Sequence, residues 1–158
     1  MCFVLYAGTA VALPRKTWNK DVPDLSVVSL SERELPIKKV FSKPEVQYIG
    51  STSDCGCDFP HAILQNGEWP RFEETEKDEF DLARDASDRR NQEALVALLA
   101  STGDEVVELY GVWDGGNEAF DKLPQSSEEI SLQTLLDPHF YFKEQGFYRV
   151  HLKSGSSQ

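Results

Sequence analysis

A chain of 158 residues is the length of one ordinary domain, and its 40% hydrophobic and 27% charged residues are globular usage that argues against wholesale disorder. Its formal net charge of −11 repels phosphate backbones and anionic lipid surfaces. No basic patch overrides that total, since Arg84, Arg89 and Arg90 are embedded among acidic residues, so nucleic acid and membranes are excluded as expected partners and a protein partner stays open.

Residues 2–8, CFVLYAG, are β-formers without an alternating polar face and end at glycine, which predicts a central strand buried on both sides. The same apolar opening is not read as an export signal. No positive segment precedes it, Arg15 and Lys16 follow it, and it is too short to span a bilayer. A cytoplasmic location is expected, where thiols stay reduced and metal or redox chemistry is favoured over structural disulfides. LSVVSL at 25–30 alternates weakly, a connection containing Pro36 follows, and EVQYIG at 45–50 alternates well, with Val46 and Tyr48 on one face and Gln47 and Ile49 on the other.

Beyond His61, Asn66-Gly67 signals a turn and Trp69-Pro70 a break. From about 74 to 102 the pattern is helical and acidic. Asp85–Arg89 and Arg84–Asp88 are spaced as i,i+4 pairs. Ala94, Leu95, Leu98 and Leu99 form an apolar stripe, and Gly103 is placed to end the helix in a left-handed conformation. EVVELYGVW at 105–113 predicts a strand closed by Asp114-Gly115-Gly116-Asn117, and 131–136 a short helix stopped by Asp137-Pro138. Phe140 to Leu152 reads as a hairpin turning at Glu144-Gln145-Gly146. The expected fold is a single α+β domain over residues 1–153, a mostly antiparallel sheet packed on one long or broken acidic helix, with a frayed tail at 154–158.

The chemistry-bearing feature is sulfur. Cys2, Cys55 and Cys57 are the three cysteines of the chain. Cys2 opens one predicted strand, and Cys55 follows the end of another by five residues. If those strands are neighbours with the right ends together, the three thiols meet at one edge of the sheet. With His61 as a fourth donor they would hold a tetrahedral zinc ion, as a structural or sensing centre, although C-x-C spacing also occurs where copper(I), the second choice, is bound. Asp54 and Asp58 are read as turn formers.

Three alternatives stand beside zinc. A C-x-C pair can act as a thiol redox couple with Cys2 resolving it, though no cationic neighbour that would lower a thiol pKa is visible. Tyr48, Trp69, Trp113, Phe140, Tyr141 and Phe142 can form the aromatic face of a non-catalytic interaction module. The cysteines can also be small core residues. No serine-nucleophile elbow, phosphate loop or dinucleotide fingerprint is present, and no general base stands out, so enzymatic activity is left open.

Met1-Cys2 resembles the opening of N-terminal-nucleophile amidotransferases, but Phe3 replaces the glycine that usually follows and the chain is short for that fold. Met1-Cys2, Gly50-Ser51 and Cys55-Gly56-Cys57-Asp58-Phe59 together resemble small bacterial proteins that begin Met-Cys and carry a Gly-Ser…Cys-Gly-Cys-Gly-Phe segment, with Asp58 in place of the last glycine. The resemblance extends to the aromatic C-terminal segment and carries no activity. It implies that the three cysteines belong to one site.

Overall fold

The computed structural model describes residues 2–62, 79–114 and 119–153. Its centre is a six-stranded sheet, ordered β2-β3-β1-β5-β8-β6. The strands are β1 (Cys2–Thr9), β2 (Ser26–Ser29), β3 (Glu45–Gly50), β5 (Val106–Asp114), β6 (Ser126–Ser131) and β8 (Gly146–His151). A separate short pair joins β4 (His61–Ala62) to β7 (Phe142–Lys143). Within the large sheet only the β6–β8 pairing is parallel. The helices are α1 (Glu79–Ala100) and α2 (Leu132–Leu136). The architecture is α+β, with a mostly antiparallel sheet and one long helix. Among the described residues, no helix is long and apolar enough to cross a membrane.

The two faces of β1 enter different cores, as the absence of a polar face in CFVLYAG predicts. Phe3, Leu5 and Ala7 join Leu95 and Leu99 of α1, Leu135 of α2, Phe59 and Phe142. Val4 and Tyr6 join Ile37, Tyr110, Val112 and Phe120 on the other side. Ile37 comes from the Pro36-containing connection, which winds into 3-10 turns over Glu32–Val40 and covers that face. The predicted stripe on α1 faces the first core, where Leu95 and Leu99 are fully buried and each contributes about 1.5–3 kcal/mol.

Several local expectations are corrected. Gly103 does not adopt the left-handed conformation. Instead the hydroxyls of Ser101 and Thr102 donate to the carbonyls of Leu98 and Leu99, satisfying the exposed end of α1 without a glycine cap. Arg89 bonds to Glu93 at 3.0 Å and to the carbonyl of Leu136 at 2.7 Å, and the side chain of Arg84 in the expected Arg84–Asp88 pair lies outside the described residues. The C-terminal segment does turn at Gln145, whose φ is 54°, but its arms do not pair with each other. β7 pairs with β4, whereas β8 inserts between β5 and β6. β6 is a strand with little β propensity of its own, SSEEIS, held by its register on β8. The predicted turn at Asn66-Gly67, the break at Trp69-Pro70, the start of the helix at 74–78, the turn at 115–117 and the tail at 154–158 lie outside the described residues.

Candidate metal centre

β1 and β3 are antiparallel neighbours with Leu5 opposite Ile49, so the start of one lies beside the end of the other. The chain leaving β3 folds back over residues 51–59 and returns its cysteines to the first residue of β1. As a result, the sulfur atoms of Cys2, Cys55 and Cys57 all lie within 4.8 Å of one another, and all three are free thiols. Thiolates bound to one zinc ion at about 2.3 Å sit about 3.8 Å apart, so side-chain rotations that contract the trio by about an ångström suffice to close it on an ion. Cys2 is exposed; Cys55 and Cys57 are half-buried.

The loop that delivers the two sulfurs is tied at several points. Ser51 N–H donates to the Cys55 carbonyl at 2.7 Å and Asp54 N–H to the Ser51 carbonyl at 3.0 Å, with Asp54 in the left-handed region at φ 73°. Asp54 thus acts as the turn former that its residue type suggests. The indole N–H of Trp18 donates to the Thr52 carbonyl at 2.9 Å, and Tyr48 Oη to the Asp54 carbonyl at 3.2 Å. From α1, the buried Asn91 accepts from Thr52 N–H at 2.9 Å and donates to its hydroxyl at 3.1 Å. Gly56 lies so close to β1 that a Cβ there would stand 2.3 Å from the Phe3 carbonyl oxygen, so only glycine allows this approach. Phe59, fully buried, anchors the far end.

The two loop thiols are electrostatically unlike. Burial pushes Cys55 up, but hydrogen bonds from the Cys57 thiol and backbone N–H, from Ser53 and from Cys2 outweigh it and hold Cys55 below the ordinary thiol value. The Cys57 N–H stands 3.4 Å from Cys55 Sγ. Burial and the bond to Cys55 push Cys57 up to about 12, against a backbone bond from Phe3. The three sulfurs lie close enough together to bind one metal ion.

His61 stands apart from this trio. Its Nδ1 lies 2.7 Å from the Phe59 carbonyl, and its ring stacks on Phe3 with centroids 4.7 Å apart and meets Trp113 edge-on at 5.2 Å. β4 pairs with β7 and the histidine packs among Phe3 and Trp113, while the donors that gather among the described residues are the three sulfurs. The aromatic residues expected to share one surface are also divided. Tyr48 packs edge-on to Tyr6 on one face of the sheet; Trp113, Phe140 and the buried Phe142 belong to the other. Trp69 lies outside the described residues.

The supporting residues Trp18 and Asn91 were missed by sequence reasoning, whereas Ser51 entered it only through the Gly50-Ser51 resemblance. One signal was readable for Asn91: it lies four residues before Leu95 on the core-facing stripe, and a polar side chain there needs a partner. No family model, curated protein or solved structure matches this chain.

Proposed function

We propose that this protein holds one soft metal ion, zinc before copper(I), on the thiolates of Cys2, Cys55 and Cys57, as a structural or sensing centre that staples the start of β1 to the loop after β3. The observation that carries this reading is the meeting within 4.8 Å of the Cys2 sulfur and the two sulfurs of a loop more than fifty residues further along the chain. Thiolates select zinc and copper(I) over hard cations such as magnesium or calcium. Three thiolates suit trigonal copper(I), or tetrahedral zinc completed by water or an added ligand. Zinc is placed first because its affinity for such donors combines with freedom from redox chemistry, which suits a staple.

The test is to purify the full chain under reducing, chelator-free conditions, determine its metals by elemental mass spectrometry, and titrate its thiols before and after chelation. The expected result is about one zinc per chain, with the thiols of Cys2, Cys55 and Cys57 unmasked on its removal. Stoichiometric copper would replace the ion but keep the site. No bound metal, with all three thiols titrating freely from the outset and no uptake of added zinc or copper(I), would overturn the proposal.

A further inference from the structure

We infer that the three sulfurs also form a peroxide-sensitive switch, in which Cys2 and one loop cysteine join as a disulfide and the site lets its ion go. The release step rests on the metal reading above; the pairing rests on the geometry of the loop and the strand.

A thiol oxidised beside a second thiol condenses with it to a disulfide where the backbone lets the two sulfurs meet, and otherwise goes on to sulfinic acid. Here every sulfur has two such neighbours within 4.8 Å. Cys2 is exposed on the first residue of β1, so a small oxidant reaches the cluster from solvent. In the first step a thiolate sulfur attacks one peroxide oxygen. The S–O bond forms as the O–O bond breaks, and the departing hydroxide takes a proton and leaves as water. The second thiolate then attacks the sulfenic sulfur, the S–S bond forms, and the second hydroxide leaves and becomes water. Two sulfurs have given up two electrons in all, and one peroxide has become two waters.

The loop decides which sulfurs pair. Bridging Cys55 to Cys57 closes a small ring through Gly56, and Gly56 is pressed against the Phe3 carbonyl with Cys57 N–H directed at Cys55 Sγ. That ring requires the chain to rewind away from β1. A bridge from Cys2 needs mainly side-chain rotation across the gap between strand and loop. Once it forms, a single thiolate remains, and one thiolate does not retain an ion that needed three.

The experiment adds hydrogen peroxide stepwise to the zinc-loaded full chain, with a chromogenic chelator reading free zinc and non-reducing peptide mapping locating the bridge. The expected outcome is one zinc released per disulfide, a mass lower by two hydrogens, and a cross-link between the Cys2 peptide and the peptide bearing Cys55 and Cys57. Because those two share a loop, Cys55→Ser and Cys57→Ser chains identify the partner. Dithiothreitol restores zinc binding to the wild type. Cys2→Ser, checked for folding by circular dichroism, loses the reversible component and proceeds to sulfinic acid instead. A Cys55–Cys57 bridge, or sulfinic acid with no bridge in the wild type, overturns the switch. Zinc content before peroxide tests the metal reading alone, and the metal-free chain carried through the same titration tests the bridge alone. A chain with no zinc at the outset and no zinc uptake overturns the release step; zinc released without a bridge to Cys2 overturns the switch while leaving the metal reading intact.

Discussion

The β1–β5 ladder has a polar cluster at each end, and the two are built on opposite terms. Where Gly8 faces Glu108, a carboxylate only 2% exposed accepts Ser42 N–H at 2.9 Å, Lys43 N–H at 3.3 Å and the Ser42 hydroxyl. Its acceptor capacity is met by the protein itself, which is what burial of such a group demands. At the other end, where Cys2 faces Asp114, three sulfurs share weak hydrogen bonds among themselves and part of their surface meets solvent. A buried group with its own complement of donors is a fastening. A cluster of soft donors, open to solvent at Cys2, lies close enough together to bind a metal ion.

The comparison is broken most directly by substituting the sulfur end. Cys57→Ser removes one of three ligands, and zinc affinity measured by chelator competition should fall by more than the roughly 10–100-fold that follows loss of a ligand-orienting residue. Gly56→Ala places a methyl against the Phe3 carbonyl. It should cost about 1–3 kcal/mol in urea unfolding and weaken zinc binding through displacement of both loop cysteines. Asn91→Ala leaves Thr52 N–H without its acceptor, costing about 1–3 kcal/mol. Because it also loosens the loop, it should weaken zinc by roughly 10-fold or more.

Glu108→Ala sharpens the contrast from the other side. The stability loss should again be about 1–3 kcal/mol, since the donors of Ser42 and Lys43 are stranded, but zinc stoichiometry and affinity should be unchanged. An altered zinc affinity there would mean that the two ends are coupled. His61→Ala is the smallest change: it removes stacking on Phe3 worth about 0.5–1.5 kcal/mol and should leave one zinc bound. Loss of the ion in that chain would return His61 to the ligand set.

Much of the fold was legible because local pattern and final environment agree. β1 has no polar face and is buried on both; β3 alternates and feeds two cores; the stripe at Leu95 and Leu99 is the stripe that packs. Misreadings arose where a long-range partner outweighed local preference. SSEEIS is a strand because β8 offers it a register, and the arms around Gln145 part because β4 and β5 each compete for one of them. At the site, the residue types named the candidate sulfurs, but His61 was placed by spacing alone, and spacing does not say which way a short strand turns its side chain. Asn91 and Trp18 gave almost no signal, since a side chain that bonds to a loop carbonyl or N–H tens of residues away leaves no periodicity.

By itself, then, the order of residues determined the strands of the central ladder, the helix that covers them, the net charge of −11 and the identity of the three thiols. Those properties follow from the period of apolar side chains and from the chemistry of single residues, both of which are local. Only the tertiary structure decided that the three sulfurs meet and that the histidine packs on Phe3 and Trp113. That decision depends on the antiparallel register of β1 against β3, on a glycine pressed to a carbonyl, and on a buried asparagine holding the loop in place. Each of these is a contact between distant segments, and its energy exists only after the chain has folded.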